Sequence, residues 1–406
     1  MIRRSFEPED LDGWRGRHRF GLCLTTAMRQ PSHSVGCAHR LGVVCNFKKR
    51  KMSKIIIIGL LVILQNGVFS QNLVTLDGLL EIHHRDGFNG NVLYSRNDSI
   101  IFKGNYGFSN IEKQIPLIDE SIFDLASLSK QFTALCIVQL IEKGKLSYST
   151  KIDSIWNALP YRDITIEHLL RHQSGLPDYM DLISKKKYWS KSTIPLNSDI
   201  IEILSKNTIP LEFYPGTKSV YSNTGYAVLA SVIEKVSGMK FEEYLEVNIF
   251  NPLEMNDSRV VRRIYKQDTD PKITTGYYRK GKRNKPNYLY DKRMKLYDGI
   301  VGDGMIHSTI LDLIKWKKAL KNNSLISQDS KEKMFSGDSI SKSTGFGFGI
   351  QISEKLGKYV LHTGSWQGYV NFLLYILDTD EFVVILSNNE YEEYGELNTL
   401  LLKYGR

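Results

Sequence analysis

The stretch Phe123-Asp124-Leu125-Ala126-Ser127-Leu128-Ser129-Lys130-Gln131-Phe132-Thr133-Ala134-Leu135-Cys136-Ile137-Val138-Gln139-Leu140 decides how the rest of this sequence is read. Leu128, Phe132, Leu135, Cys136, Val138 and Leu140 recur at the spacing of a buried helix from Ser127 to Glu142, and Gly144 supplies its stop. Residues three apart share a helix face, so Lys130 can place its amine beside the Ser127 hydroxyl. A serine hydroxyl is a weak nucleophile that needs a neighbouring base. Lysine can serve where burial lowers its pKa from about 10.4. The helix N-terminus adds partial positive charge where an oxyanion would form. The S-x-x-K pattern alone is weak: it begins also at Ser184, Ser237, Ser330 and Ser339, where polar surface or a helix end explains it. Ser127 is set apart by its apolar lead-in and the long apolar helix behind it.

Two downstream segments add chemistry. Tyr221-Ser222-Asn223 lies between Pro215-Gly216-Thr217 and a predicted helix. A phenol there can move a proton between Ser127 and a leaving group. Asn223 can hold a substrate amide, or simply cap the helix. Y-x-N recurs at Tyr369-Val370-Asn371, so it too is weak alone. His362-Thr363-Gly364-Ser365 ends a predicted strand, whose edge can pair with an extended substrate. The Ser365 N–H, with that of Ser127, can form an oxyanion hole, where losing one donor typically costs about 2.7–4 kcal/mol. The plainer reading of His362 is a half-buried strand residue.

Around these motifs the pattern is mixed. A helix is predicted over Leu73 to His84, then a hairpin with strands Gly90–Tyr94 and Ser99–Phe102 about Arg96-Asn97-Asp98. Helices follow over Thr165–Arg171, Thr224–Val236 (closed by Gly238) and Leu311–Leu320. Strands return at Phe346–Ile352, Lys358–Leu361, Val370–Leu377 and Glu381–Ser387, with a last helix over Tyr391–Tyr404. Strands at both ends and helices between them predict an α+β fold, one sheet assembled from the two termini with a mostly helical insertion. Close spacing of the last strands favours antiparallel pairing.

The 406 residues carry a net charge of +10, but residues 1–54 account for +8 of it, so the body of the chain is close to neutral and nucleic-acid binding is not indicated. Tyr277 to Lys295 holds eight Lys/Arg against one acid, interleaved with tyrosines, and reads as a solvated surface loop. Met52-Ser53-Lys54, the apolar run Ile55–Leu64 and a polar tail ending at Ser70 describe a secretory signal peptide, cleaved before Gln71. The run is too short for a stable membrane span. Residues 1–51, basic and without apolar period, are read as an upstream over-extension of the reading frame or a disordered leader. Beyond the signal only Cys136 remains, which excludes an internal disulfide framework and reads as a small core residue.

The order S-x-x-K, Y-x-N, then H-T-G resembles the class C β-lactamase and penicillin-binding family of serine hydrolases. The resemblance spans about residues 75 to 400. It includes Thr165-Ile166-Glu167-His168-Leu169-Leu170-Arg171-His172-Gln173-Ser174-Gly175-Leu176-Pro177, Asn251-Pro252-Leu253-Glu254-Met255 and Gly302-Asp303-Gly304-Met305. It implies a β-lactamase/transpeptidase-like fold, an antiparallel sheet flanked by helices plus an inserted helical subdomain. The hydrolase domain is then 71–406, with the sheet from about 71–126 and 340–406 and the helical subdomain at about 127–339. It implies Ser127 as nucleophile, Lys130 as base, Tyr221 as general acid/base and Asn223 as amide ligand. His362, Thr363, Gly364 and Ser365 form the substrate-side strand. No cofactor or metal is implied, and the sequence has no H-E-x-x-H and no cysteine cluster.

The departure is His362, where the β-lactamases have Lys. The expected enzyme is therefore an exported acyl-serine hydrolase of esters or D-amino-acid peptide or amide bonds. The alternatives are a true class C β-lactamase and a non-catalytic cell-wall binding protein. An imidazole near pKa 6.5 is expected to be mostly neutral at pH 7 and to charge on mild acidification.

Overall fold

The computed structural model describes residues 76–404, apart from 191, 263–269, 281–282, 287–293 and 392–393. The leader and signal segment lie outside the described residues, as does part of the basic stretch after Tyr277.

Six strands form one antiparallel sheet in the spatial order Gly349–Ser353, Gly357–Trp366, Tyr369–Ile376, Glu381–Ser387, Gly90–Arg96, Ser99–Tyr106. The two termini thus supply adjacent central strands, as the sequence pattern predicts. Gly90–Arg96 and Glu381–Ser387 are buried on both faces, so their side chains feed two cores in alternation. Val92 and Tyr94 pack with Leu76, Leu80, Leu397 and Leu401 of the terminal helices, residues 76–85 and Tyr394–Tyr404. Leu93, Val384 and Leu386 face the larger core under the helical part. The first hairpin closes on two residues, Asn97 (φ 48°) and Asp98 (φ 63°). Both lie in the left-handed region that a tight hairpin turn demands and that Asn and Asp tolerate.

The helical part is built on Lys130–Glu142, buried from Lys130 to Gln139 and on to Leu140. A helix apolar all round has to sit inside, and this one packs against Asn223–Ser237. That second helix ends at Gly238 in the left-handed conformation, the predicted stop. Ile166–Leu170 is capped by Thr165 through a capping box with His168.

The insertion is mostly helical, as read from the sequence, with short strands added: Ile306–Ser308 pairs with Phe123–Asp124 and Arg259–Val260 in a small antiparallel sheet, and Tyr277–Lys280 pairs with Arg283–Pro286. Strands of two to four residues are too short to leave a period in the sequence. Two expectations are corrected. The stretch Lys358–Leu361 is part of a longer strand, Gly357–Trp366, so His362–Ser365 lie within it. Its pairing with Tyr369–Ile376 continues to Trp366↔Tyr369 because Gln367 and Gly368, both at positive φ, close a two-residue turn. Finally, the helix begins at Lys130, preceded by a 3-10 turn, Ala126–Ser129, that carries Ser127. No helix of the described residues is long and apolar enough to cross a membrane.

Candidate active site

Backbone pairing fixes the turn that carries Ser127. Phe123–Asp124 pairs with Ile306–Ser308, and the Leu125 N–H donates to the Ile306 carbonyl at 2.9 Å. The buried Asp124 carboxylate accepts the Ala126 N–H at 2.9 Å, and Ala126 is held at φ 50°. A left-handed alanine costs about 1–3 kcal/mol and persists only where the surroundings enforce it. Ser129 locks the turn from inside by accepting the Ile306 N–H at 3.1 Å. Ser127 is left half-buried, facing the space between sheet and helices.

Lys130 is fully buried, and its amine end reaches back one turn. Nζ lies 3.1 Å from Ser127 Oγ, 2.9 Å from Asn223 Oδ1 and 2.7 Å from the Asp303 carbonyl oxygen. The Asn223 contact overturns its reading as the helix cap. Ser222 caps, accepting the Gly225 N–H at 3.0 Å, and Asn223 is the first helical residue with its side chain turned to Lys130. The Asp303 carbonyl is delivered by Gly302 at φ 100°, where a Cβ would lie 2.5 Å from the Tyr226 carbonyl oxygen. The Asp303 side chain accepts from the Tyr179 hydroxyl at 3.0 Å, and burial pushes its carboxyl above the usual range.

Tyr221 stands over this cluster, its ring centre 4.9 Å from Lys130 Nζ and its side chain part-exposed. One side of the ring stacks on His172 at 4.7 Å, and His362 lies 6.2 Å away. The three sequence motifs therefore converge on one amine.

The strand carrying the third motif approaches so closely that only glycine fits. A Cβ on Gly364 would lie 2.3 Å from the Leu125 carbonyl oxygen, one residue before the strained Ala126. Pairing with Gly349–Ser353 stops at Leu361, so no strand among the described residues covers that edge of His362–Trp366. Thr363 is half-buried and Ser365 exposed. His362 Nδ1 lies 2.6 Å from the Thr363 carbonyl oxygen and so donates its proton there, leaving Nε2 as the acceptor. Burial, then the nearby Lys130, lower the His362 pKa to about 4. The imidazole is neutral at pH 7 as expected, but mild acid does not charge it, which corrects the sequence reading.

The competing matches fall elsewhere. Asn371 donates to the Asp124 carbonyl at 2.8 Å and is a scaffold residue. Ser184 and Ser237 donate to carbonyls of their own helices, and Ser339 is exposed. Cys136 is a buried free thiol whose pKa burial drives up. Among the described residues no group of His, Cys, Asp and Glu could hold a metal. His172, Asp303 and Tyr179 belong to the site without having been singled out in the sequence. His172 and Asp303 did lie in the quoted family-like segments, which marked their neighbourhood but not their contacts.

Comparison with known proteins identifies the family. The family model described as Beta-lactamase matches residues 77–405. A penicillin-binding protein of Bacillus subtilis (strain 168) is 37% identical over 320 residues, covering 76% of this chain and 70% of that protein. A D-aminopeptidase of Gluconobacter oxydans (strain 621H) is 23% identical over 322 residues, covering 75% and 56%. The crystal structure of a penicillin binding protein from Bacillus halodurans superposes with a TM-score of 0.69 at 28% identity, covering 81% of this chain and 98% of that one. Fold, motif order and similarity over most of its length agree: this chain belongs to the beta-lactamase family.

Proposed function

We propose that this protein is an exported serine hydrolase that forms an acyl-enzyme on Ser127 and cleaves an ester or a D-amino-acid peptide or amide bond. The observation that carries this reading is the 3.1 Å contact between Ser127 Oγ and the buried Lys130 amine, itself oriented by Asn223 and the Asp303 carbonyl. In the proposed cycle the Lys130 amine takes the Ser127 proton as Oγ bonds to the substrate carbonyl carbon. The Ser127 and Ser365 N–H groups receive the oxyanion. Collapse breaks the bond to the leaving group, which takes a proton from the Tyr221 phenol. Water then gives a proton to the Tyr221 phenolate as it bonds to the acyl carbon, and the acid is released as Ser127 Oγ takes back the proton held by Lys130.

The substrate edge of His362–Ser365 accommodates an extended peptide, in keeping with the D-aminopeptidase relative. The neutral His362 lacks the permanent cation that would attract the carboxylate of a penicillin, which favours neutral ester or amide substrates over a penicillin. Export rests on the signal-like residues 52–70, with the folded domain beginning at about residue 71.

The test is intact-mass analysis after exposure to a fluorophosphonate, a penicillin and a D-Ala-D-Ala peptide. A single adduct on Ser127, absent from the Ser127→Ala protein, is expected, with turnover reduced by at least ~10³-fold. Wild-type turnover in Ser127→Ala would refute the mechanism.

A further inference from the structure

Tyr221 is 38% exposed, and one neighbouring residue grips the chain on both sides of it. The His172 carbonyl accepts the Val220 N–H at 2.9 Å. His172 Nδ1 accepts the Ser222 N–H at 3.0 Å. Between these two anchors the imidazole lies against the Tyr221 ring, centroids 4.7 Å apart and planes 29° from parallel. The same imidazole is 5.0 Å from the ring of Tyr226, whose hydroxyl is tied to the Leu170 carbonyl at 2.9 Å. His172 is almost fully buried and sits at φ 58°, a left-handed backbone that histidine tolerates better than most residues.

We propose that His172 is a positioning residue, a neutral imidazole that clamps Val220-Tyr221-Ser222 and holds the Tyr221 phenol over Lys130. Accepting at Nδ1 requires the tautomer protonated at Nε2, the reverse of His362. Burial, then Lys130 and His362, lower the His172 pKa to about 3, so the ring neither gains charge near neutral pH nor loses the Ser222 contact. The phenol then works beside two uncharged imidazoles that take no proton themselves, with its approach to the Lys130 amine set by packing. This inference rests on the acyl-enzyme reading and on Tyr221 as the proton donor.

The test uses the dependence on the leaving group. A p-nitrophenolate leaves with little help, whereas an alkoxide or amine requires a proton from Tyr221. His172→Asn keeps an acceptor for the Ser222 N–H and tolerates positive φ, but removes the stacked ring. Its kcat on an alkyl ester or amide is expected to fall roughly 10–100-fold, with KM within about twofold. On the p-nitrophenyl ester the loss is expected to be under about threefold. In a Tyr221→Phe background His172→Asn should add nothing further, because both act through one phenol. Equal losses on both substrates, wild-type kcat, or multiplying losses in the double variant would each overturn the proposal. A Tyr221→Phe enzyme as fast as wild type would overturn the assignment of Tyr221 and this proposal together. Fluorophosphonate labelling of Ser127 in each variant separates that outcome from failure of the nucleophile itself.

Discussion

Lys130 and Lys317 are equally buried, at 0% and 1% exposure, and each sits on a helix beside the main sheet, yet their company differs. Lys317 meets two carboxylates, Asp98 at 2.9 Å and Asp380 at 2.5 Å, with Lys321 bridging the same pair. It pins the tips of two hairpins to the helix Ile310–Asn322. Hydrogen bonds from Lys321 and Lys317 lower the Asp98 pKa to about 2. The hydrogen bonds of Lys130 go only to uncharged oxygens: a hydroxyl, an amide and a backbone carbonyl. The neighbouring Asp303 offers Lys130 its backbone oxygen, while its Oδ2 accepts from the Tyr179 hydroxyl. An amine held by carboxylates is a structural cation, since surrendering its proton would break its ion pairs with the exposed Asp98 and the part-buried Asp380. An amine held by neutral oxygens can exchange a proton without breaking an ion pair. The partners, not the burial, separate scaffold from chemistry.

The largest effect expected from this contrast comes from exchanging each lysine for methionine. Lys130→Met should lower kcat/KM by roughly 10²–10⁴-fold, the range of an acid–base group, while thermal stability changes little. Lys317→Met should do the opposite. Asp98 is exposed and Lys321 still pairs both carboxylates, so the loss of stability is expected to be on the order of 1–3 kcal/mol, while kcat/KM per folded molecule stays within about twofold. Thermal melts and steady-state kinetics on the two variants decide it, and an inactive but stable Lys317→Met would break the distinction.

Acid should reach the two regions at different pH. His172 and His362 have folded pKa values, about 3 and about 4, below the unfolded 6.5, so the unfolded chain binds the extra protons. Their contribution is complete above pH 6.5 and is lost as pH falls toward 4, on the order of 2 kcal/mol each by pH 5. Asp98 is also depressed, but from 3.8, so its contribution is lost only between about pH 4 and 2. Urea melts between pH 8 and 5 should therefore show a decline that His362→Asn makes shallower and Asp98→Asn leaves alone. A decline indifferent to His362 would count against its burial as a neutral ring.

The smallest effect concerns selectivity. His362→Lys should raise the kcat/KM ratio of a penicillin over a neutral p-nitrophenyl ester by about tenfold at pH 7, one charge-assisted contact. Lowering the pH of the wild type from 7 to 5.5 should leave that ratio within about twofold, because His362 remains neutral. A ratio that climbs through pH 6.5 would show that His362 titrates as an exposed histidine.

Much of this was legible in the sequence because its signals are local. The hairpin at Asn97-Asp98, the buried helix after Ser127 and the stop at Gly238 each follow from residues within a few positions of one another. The motif order predicted which side chains would meet, and Ser127, Lys130, Asn223, Tyr221 and His362 do meet. The short strands Phe123–Asp124 and Ile306–Ser308 were not legible, since their pairing spans more than 180 residues and two or three residues are too few to show an alternation. Nor were the roles of Ser222 and Asn223: either can cap a helix, and Lys130 decides the matter from 93 residues away. The depressed pKa of His362 follows from burial and from the nearby Lys130, neither of which is encoded beside it. Sequence determined the reactive residue types and their order, through short-range periodicity. Tertiary structure decided which lysine is scaffold and which is chemistry, because protonation energetics depend on the few atoms that packing brings within hydrogen-bond reach.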